Sequence, residues 1–163
     1  MEPPSTPLAG AGPRDPVTRV IAELRALSTV QDRLDQHAAQ RFGLNRTDLR
    51  ALDLIAQAGT TSPTALAAAL GMSTGATSTV LDRLEGADYV RREVHPGHRR
   101  RTLVRMTARA AELSAEIFDP VIRATAEQAA GRSGRELGSI ASFLAEHRRT
   151  LEDYLDAHAT DSR

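Results

Sequence analysis

The sequence predicts a mainly α fold: a winged helix-turn-helix of about six helices plus a two-stranded β wing, with N- and C-terminal helices forming a dimerisation layer. Three observations predict it. Between Ser62 and Glu85 a short helical pattern, a tight turn and a second helical pattern follow one another. After them come two alternating segments around Pro96-Gly97, which read as a hairpin. Finally, both ends of the chain carry apolar stripes at alternating spacings of three and four. With 163 residues, 40% of them hydrophobic, the chain is long enough for one substantial core and short for two ordinary domains. The expected organisation is a disordered arm over 1–16 and a single domain over 17–158. Within that domain, 45–107 is the winged-helix lobe, and 17–43 with 108–158 are the dimerisation helices.

The arm is expected because five of the eight prolines, Pro3, Pro4, Pro7, Pro13 and Pro16, fall in its 16 residues with almost no large apolar group. Val17, Val20, Leu24, Leu27, Gln31, Leu34 and Ala38 then form one helical stripe, interrupted only by Gln31 and ending near Gly43. Asn45, with Asp48 three residues on, caps a second helix that turns Leu49, Leu52 and Ile55 inward and stops at Gly59. Ser62-Pro63 opens a short helix closed by Gly71, where Ala67, Ala68, Ala69 and Gly71 suit a close helix crossing. Ser73 caps the next helix, through about Glu85. Val80, Leu81 and Leu84 face its core side, and Thr74, Ser78, Thr79 and Arg83 face outward.

In the hairpin, Val90, Arg92 and Val94 alternate with Arg91, Glu93 and His95, and the return strand carries Leu103-Val104-Arg105-Met106. Overall Lys+Arg and Asp+Glu stand equal at 21 each, and every basic residue is Arg. Residues 89–109 nevertheless hold Arg91, Arg92, Arg99, Arg100, Arg101, Arg105 and Arg109 against Glu93 alone, a local excess hidden by the neutral average. Thr107 caps a long helix bearing Leu113, Ile117, Phe118, Val121 and Ile122, with Pro120 as a kink. Ser133 and Glu136 form a capping box for the last helix, whose stripe is Leu137, Ile140, Leu144, His147, Leu151, Tyr154 and His158. The expected dimerisation residues are Val20, Leu24, Leu27, Leu137, Ile140, Leu144, Leu151 and Tyr154.

Zero cysteines exclude from this chain a disulfide scaffold, a thiolate zinc site, an iron–sulfur cluster, a cysteine nucleophile and a thiol redox switch. Aromatic residues make up 3% of the chain, too few for a base-stacking platform. No apolar run reaches the roughly 20 residues needed to cross a bilayer, so a cytoplasmic location without membrane contact is expected. The five histidines, His37, His95, His98, His147 and His158, show no strong ligand spacing, and neither a metal nor a cofactor is expected. No phosphate-binding Gly-rich loop or recognisable nucleophile triad is present, which argues against an enzyme.

The segment from Ser62 to Ala110 resembles the MarR family of winged-helix transcriptional regulators. Leu81-Asp82-Arg83-Leu84-Glu85 is similar to the end of the family's recognition helix. In the stretch His98 to Ala110, Arg100, Val104 and Thr107 match the family's wing signature; His98 stands where Asp is usual, Met106 replaces Leu and Ala110 replaces Gly. Met for Leu keeps volume and Ala for Gly favours helix, whereas a histidine cannot accept a bidentate pair from a wing arginine as an aspartate does.

The resemblance covers about residues 17–158. It implies a homodimer that places one recognition helix per subunit in the major groove of a pseudo-palindromic double-stranded DNA operator. It also implies a repressor released by a small aromatic or anionic effector. The DNA-binding residues expected are Ser73, Thr74, Gly75, Ser78, Thr79 and Arg83 on the helix and Arg99, Arg100 and Arg101 on the wing, with Arg100, or in its place Arg99 or Arg101, entering the minor groove. Hydroxyls discriminate bases poorly, so modest direct readout is expected, and Thr79 stands where a basic residue is common in the family. Arg83 is suited to a guanine, a phosphate, or a pairing with Asp82, Glu85 or another acid. The alternative is a winged-helix interaction module that uses the wing on an acidic protein partner without reading DNA sequence.

Overall fold

In a computed structural model, residues 15–95 and 97–158 are described, without the side chains of Arg99 and Arg100. The order is α1 (Pro16–Phe42), α2 (Arg46–Ala58), α3 (Pro63–Leu70), α4 (Thr74–Gly86), β1 (Val90–His95), β2 (His98–Met106), α5 (Ala108–Ala130) and α6 (Gly134–His158). The arm expected over 1–16 lies outside the described residues as far as position 14. Asp15 and Pro16 instead open α1: the Asp15 carboxylate accepts from the Thr18 amide at 2.9 Å, and Pro16 occupies a first-turn position where a missing N–H costs nothing.

The other helix ends follow the residues that announce them. Asn45, Ser62 and Ser73 accept from the Asp48, Ala65 and Ala76 amides, and Gly43 and Gly71 close α1 and α3 in the left-handed conformation, φ 67° and 65°. Without a Cβ, glycine enters that region freely, which lets each helix reverse within one residue.

The chain falls into two compact units, one ending at Ala115 and the other starting at Glu116. In the first, α2, α3 and α4 bury one face each: Leu49, Leu52 and Ile55; Leu66 and Ala67; Thr77, Val80, Leu81 and Leu84. Ala38, Ala39 and Phe42 from the end of α1 are buried too, as are Tyr89, Val90 and Val104 at the base of the hairpin. Strands β1 and β2 pair antiparallel from Val90↔Met106 to Val94↔Thr102, with a register irregularity before His95↔His98. Thr61 adds a bridge beyond the two expected strands, exchanging hydrogen bonds with Val104 at 3.0 and 2.7 Å. This fastens the α2–α3 connection to the hairpin base.

Tyr89 joins α1 to the same place. Its hydroxyl donates to the Phe42 carbonyl at 2.8 Å, its ring meets Phe42 edge-on at 5.1 Å, and Arg109 lies over it at 5.3 Å. Thr107 caps α5 as expected, accepting from the Ala110 amide and donating to the Asp88 carbonyl.

In the second unit, α5 continues through Pro120 to Ala130, and the Ser133–Glu136 capping box opens α6. Hydrogen bonds from the Ser133 hydroxyl and amide hold the Glu136 carboxyl below its ordinary range. No residue of α6 is buried. Among the described residues, no helix is long and apolar enough to cross a membrane.

Leu84 is fully buried, so Leu84→Ala is expected to lower the unfolding free energy by about 2–5 kcal/mol in urea titrations. Ser78→Ala, on the exposed side of α4, is expected to stay within about 0.5 kcal/mol. Equal losses at the two positions would refute this assignment of α4 faces.

Candidate nucleic-acid interface

Helix α4 divides along its length. Thr77, Val80, Leu81 and Leu84 point into the core, and Thr74, Gly75, Ser78, Thr79 and Asp82 form the opposite, exposed face. Ser73 caps its N-terminus, where the free amides of the first turn add partial positive charge. The helix residues expected at the interface therefore lie on one connected surface, with Arg83 at its edge. Thr77, absent from the expected inward set, is fully buried and donates to the Ser73 carbonyl at 3.0 Å. Its spacing before Val80 and Leu81 was the available signal. The Thr79 hydroxyl donates to the Gly75 carbonyl at 3.3 Å, while Gly75 has no atom within 4 Å of where a Cβ would sit.

Arg83 turns toward α2. Its Nε donates to one Asp48 carboxylate oxygen at 2.8 Å and its Nη2 to the other, while its side chain stays 47% exposed and that of Asp48 only 3%. Asn45 donates to the same carboxylate from Nδ2 at 2.9 Å and caps the Asp48 amide with Oδ1. The hydrogen bonds that Arg83 donates to Asp48 raise its pKa further above its already high ordinary value. The acid that pairs with Arg83 is thus Asp48, and neither Asp82 nor Glu85.

Those two acids go to the wing. Arg92 of β1 donates through Nη2 to Asp82 at 2.7 Å and through Nη1 to Glu85, and its amide donates to the other Glu85 oxygen at 3.0 Å. A further bond at 3.3 Å reaches the Ser78 carbonyl. Hairpin and helix are therefore joined by one guanidinium with three acceptors. Backbone and side-chain bonds from Arg92 hold the Glu85 carboxyl below its ordinary range.

The local charge excess is smaller than the count over 89–109 suggested, because acids outside that window fold against it. Arg92 meets Asp82 and Glu85 and Arg91 lies 3.8 Å from Asp88, while within the window Arg105 lies 3.4 Å from the acid already counted, Glu93. Arg99, Arg100 and Arg101 follow His98 directly at the start of β2, beside the turn. Arg101 is exposed, and no acid among the described residues pairs with it. His95 and His98 flank the turn with ring centroids 5.3 Å apart, and His95 Nδ1 accepts from the Gly97 amide at 3.0 Å. Among the described residues, no three His, Cys, Asp or Glu side chains gather where they could hold a metal ion.

Removing the Arg92 guanidinium should release Glu85 in part, since the backbone amide at this position, its stronger hold, remains. A carboxyl with a depressed folded pKa adds stability above its unfolded pKa and loses it as pH falls through the folded value. In Arg92→Ala the Glu85 midpoint, followed by carboxyl-carbon NMR, is expected to rise part of the way toward the ordinary carboxylate value, with faster amide exchange in β1. An unchanged midpoint would show that the guanidinium does not hold this carboxylate.

Comparison with known proteins agrees with this geometry. A family model described as the MarR family matches residues 42–101, the span from the end of α1 to the start of β2. The uncharacterized HTH-type transcriptional regulator YcgE of Bacillus subtilis (strain 168) is 33% identical over 132 residues, which cover 81% of this chain and 86% of that protein. Among solved structures, a point mutant of MepR from a multidrug resistant S. aureus clinical isolate aligns with TM-score 0.65 and 16% identity, over 81% of this chain and 96% of that one. RV1404 from Mycobacterium tuberculosis aligns with TM-score 0.61 and 23% identity, over 85% and 97%. The structural likenesses speak to the fold, and the sequence relationship carries the family: this chain belongs to the MarR family of winged helix-turn-helix, DNA-binding transcriptional regulators.

Proposed function

We propose that the protein is a homodimeric repressor that reads a pseudo-palindromic operator and leaves it when a small aromatic or anionic effector binds. The observation that carries this reading is the exposed face of α4, short and rich in hydroxyls, tied by Arg92 to a hairpin whose tip holds Arg99, Arg100 and Arg101. In this reading 45–107 is the DNA-binding lobe. Ser73, Thr74, Gly75, Ser78 and Thr79 enter the major groove, where small side chains allow close approach, and Arg83 stands at the groove edge. The wing arginines lie along the backbone, and Arg100 enters the minor groove, whose negative potential favours an inserted guanidinium.

The dimer is supported by apolar surface that a lone chain leaves in water. On α1, Val20 is 42% and Leu27 52% exposed, with Leu24 half-buried between them. On α6, Ile140, Leu144, Leu151 and Tyr154 are 44–62% exposed along one stripe that begins at the half-buried Leu137. A second copy covers both stripes, in keeping with 17–43 and 108–158 as dimerisation helices. Two-fold symmetry then sets the half-sites about one helical turn, ~10 base pairs, apart. Dimers on the operator exclude competing proteins from it, and an effector acts only through unequal affinity for the DNA-competent and DNA-incompetent dimers.

Fluorescence anisotropy against the native upstream DNA and a shuffled control tests the reading. Selective binding is expected, falling with salt by about one power of concentration per phosphate contact, and weakened on the order of tenfold by Arg100→Ala. Equal binding to native and shuffled DNA would overturn operator reading there, and salt-sensitive binding to an acidic protein instead would favour an interaction module. Sedimentation is expected to show a dimer that Leu27→Glu and Leu151→Glu each dissociate; a wild-type monomer at micromolar concentration would overturn the assembly.

A further inference from the structure

The residue that holds Arg83 is buried, and nothing in the proposed DNA contacts requires it. Asp48 is 2% exposed, yet its carboxylate takes two donors from Arg83, 35 positions further along the chain, and one from Asn45. An ionised carboxylate in such a place is tolerated because its oxygens are met by a cation and further donors. If Arg83 swung out toward DNA, Asp48 would keep only Asn45, and a buried charge stripped of its counter-ion is strongly unfavourable. The guanidinium is therefore anchored on its Nε/Nη2 edge. Its place also argues against base reading: it lies in the third turn of α4, whereas a recognition helix meets bases chiefly through its N-terminal residues, here Ser73 to Ser78.

We propose that Asp48 is a positioning residue for operator recognition: through the Arg83 guanidinium it fixes where α4 sits on α2, and so how the Thr74–Ser78–Thr79 face is presented to the groove. Arg83 is then a strut whose remaining nitrogen, Nη1, meets at most a phosphate, with the same effect on every sequence. A pair of this kind is directional. The apolar face chooses the rotation of α4 but leaves small slides and turns open, which a two-point bond between planar groups narrows.

The proposal rests on the operator-reading function above, and the test separates the two. Arg83→Met leaves Asp48 without its partner. The double variant Asp48→Leu/Arg83→Met replaces both charges with apolar groups, an exchange that buried pairs tolerate. The readout is the ratio of affinities for operator and shuffled DNA, which loss of a phosphate contact alone does not move, together with urea unfolding of each protein.

Arg83→Met is expected to lower the ratio about tenfold and the unfolding midpoint with it, and the double variant to regain the midpoint but not the ratio, with the loss spread across the whole site. A ratio restored by the double variant would overturn the positioning role, and a loss confined to one base pair in selected sites would overturn it by making Arg83 a base reader. If the native chain does not discriminate operator from shuffled DNA, the function fails and unfolding alone decides the strut. A double variant more stable than Arg83→Met then supports it, and additive losses overturn it.

Discussion

One constraint governs the interface: helix α4 must bury Thr77, Val80, Leu81 and Leu84. With that face committed, its rotation is set and every other residue on the helix inherits a direction. Ser78 and Thr79 face water because Val80 and Leu81 cannot. Asp82 and Glu85 arrive beside β1, where Arg92 meets both. The polar bonds refine a position that the apolar face has already chosen, and without that face neither ion pair would have its partners in reach.

The architecture was largely legible because helix ends and helix faces are local properties. Asn45, Ser62, Ser73 and Ser133 each cap the helix they precede, and Gly43 and Gly71 each end one. The hairpin was legible from two-residue alternation around Pro96-Gly97. Asp15 escaped because the proline-rich composition of its neighbours outweighed a good cap standing directly before a proline. Thr77 escaped because a hydroxyl does not register as apolar, although it sits where the inward period falls.

The candidate site was legible only by face, and its pairings were not. Periodicity places Arg83 on the rim of α4, but nothing local says that its partner lies 35 residues earlier, next to the cap of another helix. For the same reason a count of charges within 89–109 overstated the wing: Asp82, Glu85 and Asp88 precede the window in sequence and accompany it in space. The Thr61–Val104 bridge is equally nonlocal, a pair of backbone bonds between segments that carry no complementary pattern.

The cations of the hairpin are all guanidinium groups, as are all 21 Lys+Arg positions of the chain. An ammonium on the same hairpin would be open to acylation, which erases its charge, and would lose its proton more readily in a dry setting. Arginine does neither under physiological conditions. The arginine charge of the hairpin is therefore constant across physiological acidity and out of reach of lysine-directed enzymes, so it is tuned by how far salt screens it and by which acids fold against it.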